Sequence, residues 1–275
     1  MAMVAEIQAP IIPTRLYRYR SLSRSGTATA EEIASIRDKY LYCADFTLMN
    51  DPMEGIFRSS TLLRGAPHYR DTVRQIQDRK SGVGIACFSE TYENMLMWAH
   101  YAGNFTGCCF GYSSANLTEG LPDSAVLVRL AYFDSPPRIR TSHTSDIHKT
   151  TLRILSQKHY SWNYEREWRV LADVGIVSYA PKQTLRNIYL GTRISDAQRD
   201  LLISEVVGMD VRVYQMKLEG YTPHWEEVDV PPPKQRKRKG LDTTIALHAQ
   251  RGRSGKAVRL LAGQSAPRRH LADRP

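Results

Sequence analysis

Trp162-Asn163-Tyr164-Glu165-Arg166-Glu167-Trp168-Arg169-Val170-Leu171-Ala172 is the run whose reading decides how the rest of the chain is arranged. It turns apolar and β-prone at Trp168, so its second half predicts a strand. Residues i and i+2 of a strand face the same way. If the strand reaches back to Glu165, then Glu165 and Glu167 project together. Trp168 and Val170 then point to the other side, and Arg166 points away from both carboxylates. Two carboxylates on one face repel and add no stability there. They need water or a task. A solvated, charged strand start and a paired-carboxylate site both fit the spacing.

The 275-residue chain carries 38 Lys plus Arg and 28 Asp plus Glu, a formal net charge of +10. Its length allows one or two domains. Residues 231–275 hold 12 of the basic and 2 of the acidic residues, which leaves 26 of each in 1–230. The surplus therefore lies in the tail, and the body need not bind nucleic acid. Cys43, Cys87, Cys108 and Cys109 make no Cys-x-x-Cys pair, and three lie in apolar, strand-like runs. Buried free thiols in a reducing compartment are expected. No charged-then-apolar segment opens the chain, and no apolar run approaches the ~20 residues of a membrane span. A cytoplasmic protein without a membrane partner is expected.

In chain order, residues 1–13 form a loose, proline-punctuated lead-in. Leu16-Tyr17-Arg18-Tyr19-Arg20 is a short strand with its tyrosines on one face and its arginines on the other. Thr29 and Glu32 have capping-box spacing and open a helix with an apolar stripe of Ile33, Ile36 and Tyr40. Residues 41–48 alternate as a strand with Tyr42, Ala44, Phe46 and Leu48 together. The strand ends in the turn Asn50-Asp51-Pro52, where Asn50, Asp51 and Glu54 are candidates to line a cleft. Residues 56–81 are arginine-rich and weakly helical.

Val83-Gly84-Ile85-Ala86-Cys87-Phe88 reads as a buried strand. After Ser89-Glu90-Thr91 comes a helix bearing Met97-Trp98-Ala99-His100-Tyr101 and stopped near Gly103. Gly107-Cys108-Cys109-Phe110-Gly111-Tyr112 and residues 125–133 are strands. A helix over 145–160, with Lys158 on its inner face, leads into Trp162. A strand over 187–191, a helix capped by Ser195 and Gln198, and a closing strand over 211–216 complete the body.

Short strands with interspersed helices and no βαβ rhythm predict a single α+β domain over 14–230, with a basic, disordered tail over 231–275. That tail is a candidate for nonspecific contact with nucleic acid. No Gly-rich phosphate loop, Gly-x-Ser-x-Gly or His-Glu-x-x-His is present. Zinc at Cys87, His100, Cys108 and Cys109 is disfavoured, because neighbouring strand cysteines face opposite ways. No metal ligands are expected. Arg18/Arg20, Asn50-Asp51-Pro52-Met53-Glu54, Ser89-Glu90, Trp98-Ala99-His100-Tyr101 and Glu165-Arg166-Glu167 remain. A lone histidine such as His100 on a helix is more often packed than catalytic.

In this order, over about residues 16–217, these motifs resemble the bacterial family called domain of unknown function 2971. The layout of a basic, aromatic first strand, a central aromatic and serine region and a late Glu-x-Glu is also similar to that of ADP-ribosyltransferases. That second resemblance implies a split, mostly antiparallel sheet with flanking helices, NAD as substrate, and a toxin or defence role. It implies Arg18 or Arg20 on the phosphates, Ser89 or Tyr101 beside the nicotinamide, and Glu167 as the catalytic carboxylate with Glu165 orienting the acceptor. Tyr19, Asn50 and Trp98 join the candidate NAD-binding residues, and His100 joins Tyr101 as a candidate catalytic one. The middle motif departs from the usual Ser-Thr-Ser. The acceptor is a protein or a nucleic acid. Two rival readings stand beside this one: a non-enzymatic binding module, and a metal-dependent phosphoryl-handling enzyme using Glu54, Glu90, Glu165 and Glu167.

Overall fold

In the computed structural model, which describes residues 11–22, 27–179 and 183–233, the chain begins with β1 (Arg15–Arg20), α1 (Thr27–Arg37), β2 (Tyr40–Asp45) and a 3-10 turn (Phe46–Leu48). There follow β3 (Arg58–Ser59), α2 (Thr61–Arg64), α3 (Tyr69–Ser81), β4 (Val83–Ser89), α4 (Met95–Tyr101), β5 (Cys108–Ser113) and α5 (Ser114–Gly120). Next come β6 (Val126–Arg129), β7 (Ala131–Phe133), β8 (Arg138–Ile139), α6 (Ile147–Leu155), β9 (Gln157–His159) and a 3-10 helix (Tyr160–Glu165). The last elements are β10 (Glu167–Asp173), β11 (Gly175–Ser178), β12 (Leu185–Leu190), α7 (Asp196–Glu205), β13 (Arg212–Glu219) and β14 (Thr222–Val228). The expected tail from residue 234, and residues 1–10 of the expected lead-in, lie outside the described residues.

Ten strands make one sheet in the order β11-β2-β4-β1-β5-β12-β13-β14, with β10 pairing β4 and β6 pairing β10. Every pairing in it is antiparallel except β12 with β13. The expected α+β architecture with a split, mostly antiparallel sheet is what the chain adopts. The split has a specific origin at β4. β10 runs along one edge of β4 for its whole length, from Glu167 opposite Ser89 to Asp173 opposite Val83. The other edge is shared, with β1 touching it at Ser89 and β2 at Gly84 and Ile85. Strands β1 and β2 therefore diverge, and the gap between them opens a cavity.

Alternation in β1 divides two cores. Leu16 packs with Phe88, Phe110, Trp168, Val170 and Ile188 on one face. Tyr19 packs with Trp98, Tyr189 and Met216 on the other, beside the half-buried Tyr17, Tyr92 and Trp225. Full burial of each Leu, Ile or Phe stabilises the fold by roughly 1.5–3 kcal/mol. All four cysteines are free, Cys43, Cys108 and Cys109 buried and Cys87 half-buried.

Several expected elements are redrawn. The strand over 41–48 stops at Asp45, whose side chain accepts from Thr47 N and caps the 3-10 turn. Its buried residues are Leu41 and Cys43, on the face opposite Tyr42 and Ala44. The helix α1 starts at Thr27, so Thr29 and Glu32 lie inside it, and Glu32 is a buried partner of Arg20. Residues 125–133 break at the buried Leu130, and β6 and β7 join different ladders. The helix over 145–160 ends at Leu155, and Lys158 sits on β9. The closing strand is a hairpin, β13–β14, turning at Gly220 with φ +59°.

Candidate active site

Six side chains, those of Glu54, Tyr101, Lys158, Glu165, Glu167 and Arg169, meet at one end of β10. Glu167 opens that strand, and the guanidinium of Arg169 lies two residues on, on the same face. Arg169 Nε donates to Glu167 Oε1 at 2.7 Å, and Nη1 and Nη2 reach both oxygens of Glu54 at 2.7 and 2.8 Å. A third partner, the carbonyl of Leu155, accepts from Nη1 at 2.7 Å. Lys158 approaches from β9, its Nζ 2.5 Å from Glu165 Oε2 and 3.1 Å from Glu167 Oε2. The face of Trp162 covers that ammonium at 4.8 Å. Tyr101, the last residue of α4, donates its hydroxyl to Glu165 Oε1 at 2.5 Å.

The two carboxylates converge, but not by strand alternation. Glu165 ends the 3-10 helix, and Arg166 takes a left-handed conformation with φ 46° and ψ 54° before β10 begins. A non-glycine residue there is uncommon and costs of order 1–3 kcal/mol. Ser89 helps hold this corner by donating to the Glu165 carbonyl at 2.7 Å, and Asn94 holds the Tyr164 carbonyl at 2.9 Å.

Electrostatics separate the two glutamates. Burial alone would raise the Glu167 carboxyl, but Arg169 and Lys158 outweigh it and hold the group down at about 2. Both Glu167 oxygens are thus ionised and already bonded. Burial raises the Glu165 carboxyl above its ordinary value, offset only in part by Lys158. Burial would lower Lys158, yet the two carboxylates raise it, so the ammonium stays charged. Burial, then the bond to Glu165, pushes the Tyr101 hydroxyl up. Cys87 is raised by burial and by Glu167, which makes it a poor nucleophile.

Across the cavity stands Arg18, buried on β1. Its Nη2 donates to the Tyr42 carbonyl at 3.1 Å, and its guanidinium lies 5.9 Å from the Phe88 ring centre. Burial, then neighbouring Arg20, lowers its affinity for its proton. Among the described residues no carboxylate lies within ion-pair distance of Arg18, whereas Arg20 is paired with Glu32.

The cavity in the sheet's split, about 320 Å³, is lined by seven of the sequence-expected residues: Arg18, Tyr19, Arg20, Asn50, Tyr101, Glu165 and Glu167. Three others are placed elsewhere. Ser89 lies behind Glu165 and holds backbone. Trp98 is fully buried in the aromatic core, its Nε1 donating to the Tyr92 carbonyl at 2.7 Å. His100 is exposed on α4, its ring beside Tyr101 and Tyr164. Helical spacing explains the last case, since a residue adjacent to Tyr101 points about 100° away from it.

Lys158 and Arg169 are the functional side chains that sequence reasoning missed. Arg169 was within reach, two positions beyond Glu167 on the same strand face. Lys158 carried no such signal, because the apolar spacing before it reads as a helix that runs on past its actual end.

No curated protein and no solved structure matches the chain. The segment 97–170 carries Tyr101, Lys158, Glu165, Glu167 and Arg169, and it matches the model of one family. That family is described as Protein of unknown function (DUF2971), and over residues 97–170 the chain is similar to it.

Proposed function

We propose that the protein is an enzyme that breaks the nicotinamide–ribose bond of NAD and passes ADP-ribose to water or to a protein or nucleic-acid acceptor. Glu165, not Glu167, is the working carboxylate in this reading. The observation that carries it is the pairing across one cavity of a buried, carboxylate-free Arg18 with the Glu165–Tyr101 couple. A guanidinium without an acidic partner suits a phosphate, which it grips through two parallel bonds. A cavity of about 320 Å³ lies at the small end of ligand sites and suits the nicotinamide–ribose–phosphate half of the molecule.

The chemistry follows from the electrostatics. As the C1′–N bond breaks, its electron pair goes to the nicotinamide ring nitrogen and the ribose acquires oxocarbenium character. The buried negative charge of Glu165 stabilises that cation as it forms. The attacking hydroxyl then loses its proton to Glu165, whose raised carboxyl is a better base than an ordinary one. Lys158 keeps Glu165 ionised beforehand, and Tyr101 fixes its orientation. Glu167 is held low by both Arg169 and Lys158, which makes it a weak base, and its role is to hold Lys158 in place.

One observation favours a second reading, a module that binds such a ligand without turning it over. The carboxylates of Glu54 and Glu167 are fully paired within the protein, as in a structural ion-pair network. Metal-dependent phosphoryl handling draws less support, since Lys158 and Arg169 occupy the oxygens a cation would need. Among the described residues no group of three His, Cys, Asp or Glu is placed to hold one.

Nicotinamide release from NAD by the purified protein, with a cell lysate as a source of acceptors, tests the proposal. Release that disappears in Glu165→Gln and weakens in Arg18→Met supports it. No release, but an NAD-induced rise in melting temperature that Arg18→Met removes, leaves the binding module. Neither effect overturns both.

A further inference from the structure

The arginine-rich region over 56–81 has no part in the cavity just described, yet it builds a second one. β3 and β8 pair in parallel with Arg58 opposite Arg138 and Ser59 opposite Ile139. Ile139 is fully buried, with Leu63, Ile76 and Ile154 around it. The two arginines therefore share the other face of the ladder, side by side. Like charges directly opposite in a ladder are destabilising. Backbone bonds lock this register, from Arg58 N to the Pro137 carbonyl at 2.9 Å and from Ser60 N to the Ile139 carbonyl at 2.8 Å.

The cavity beside them measures about 440 Å³ and is lined by Arg58, Ser59, Ser60, Thr61, Arg64, Tyr69 and Arg138. Its lining holds three guanidiniums, four hydroxyls and no carboxylate. Among the described residues none of the three arginines forms an ion pair. The surrounding segments add to the positive field. Residues 56–82 contain six basic and two acidic residues, and 134–156 contain four and two. This lobe is strongly positive within a body whose charges balance.

We propose that this cavity is a phosphate-binding site, with Arg58 and Arg138 gripping the phosphate, Arg64 closing over it and the lining hydroxyls completing its hydrogen bonds. A phosphate resolves the repulsion that the ladder register imposes, and forked guanidiniums match its oxygens. The group belongs either to a small phosphorylated ligand or to a strand end bearing a 5′-phosphate, since both present the same oxygens. No residue lines both this cavity and the one containing Arg18 and Glu165, so the site stands independently of the enzymatic proposal.

Melting temperature against inorganic pyrophosphate tests this in three proteins: the wild type, Arg18→Met, and the double variant Arg58→Met/Arg138→Met. The expected rise is about 3–5 °C at ten times the dissociation constant. It persists in Arg18→Met, which separates this site from the first cavity, and vanishes in the double variant. Without ligand the double variant is as stable as the wild type or more so, because repulsion has been removed. Binding of a 5′-phosphorylated oligonucleotide at least tenfold tighter than its 5′-hydroxyl form identifies a strand end, and equal binding assigns the phosphate to a small ligand. A pyrophosphate effect unchanged in the double variant overturns the proposal, as does no effect in the wild type. A double variant that melts well below the wild type marks the arginines as structural and overturns it too.

Discussion

The guanidinium of Arg169 and the carboxylate of Glu54, 115 positions apart in sequence, meet through two parallel bonds of 2.7 and 2.8 Å with both side chains buried. This contact ties the Asn50–Gly55 corner to the strand that carries Glu167. Removing one member of such a pair leaves an uncompensated buried charge, which costs about 3–5 kcal/mol. Glu54→Ala should lower stability to chemical denaturation by that amount. A midpoint of urea unfolding unchanged from wild type would show that the contact contributes nothing to the fold.

Glu165 and Glu167 should respond differently to the same change. Glu165→Gln keeps the shape and a partner for Tyr101, so the melting temperature should stay within a few degrees while NAD turnover falls by about 10²–10⁴, the range of a lost acid–base group. Glu167→Gln removes a charge that Arg169 and Lys158 both need, and stability should fall well before any effect on chemistry can be read. Equal melting temperatures for the two variants would contradict this division of roles.

Acid should expose the same asymmetry. In the unfolded chain Glu167 takes its proton near its ordinary 4.5, whereas in the fold it does so only at about 2. Between those values the unfolded state carries more protons, so the stability from Glu167 is complete above about 4.5 and is lost as pH falls toward 2. Glu165 has the opposite sign. Its raised carboxyl makes ionisation unfavourable to folding, so its contribution declines as pH rises above the ordinary carboxylate range. Stability measured against pH should show an acid limb in the wild type that is flatter in Glu167→Gln. An identical limb in both would assign acid sensitivity to other groups.

Much of the frame was legible in the residues. Alternation in Leu16-Tyr17-Arg18-Tyr19-Arg20 and the apolar run from Val83 to Phe88 predict β1 and β4, because a strand between two cores must alternate or be apolar throughout. The site was legible in part. The chain brings Arg18, Tyr101, Glu165 and Glu167 to one cavity, as their residue types suggest. Sequence periodicity does not report where β4 lends one edge to two strands, and that sharing is what opens the cavity. Nor does it report the left-handed Arg166, since nothing in Tyr-Glu-Arg-Glu-Trp favours φ above zero over plain extension. Lys158 was hidden for a related reason, its helix ending at Leu155, five residues before the expected end at 160.

Gly107 offers a test of the backbone beneath Arg20. A Cβ built there would stand 2.1 Å from the Arg20 carbonyl oxygen and 3.0 Å from that of Ala102. Neither is a side chain able to swing aside, so Gly107→Ala should force β1 and β5 apart and destabilise by about 1–3 kcal/mol or more. A melting temperature equal to wild type would mean that the two strands separate there without cost.

The order of strands across the sheet also governs when the site comes into existence during synthesis. β1 is the first strand made, yet both its neighbours, β4 and β5, come from residues 83–113. The carboxylates that face Arg18 follow only at 165 and 167. A growing chain thus exposes Arg18 long before Glu165, Glu167 and Arg169 leave the ribosome, and domains form as units once their partners are available. The cavity is therefore incomplete until translation has passed β10, and a chain truncated before Glu165 would carry Arg18 without the carboxylates that line the cavity with it.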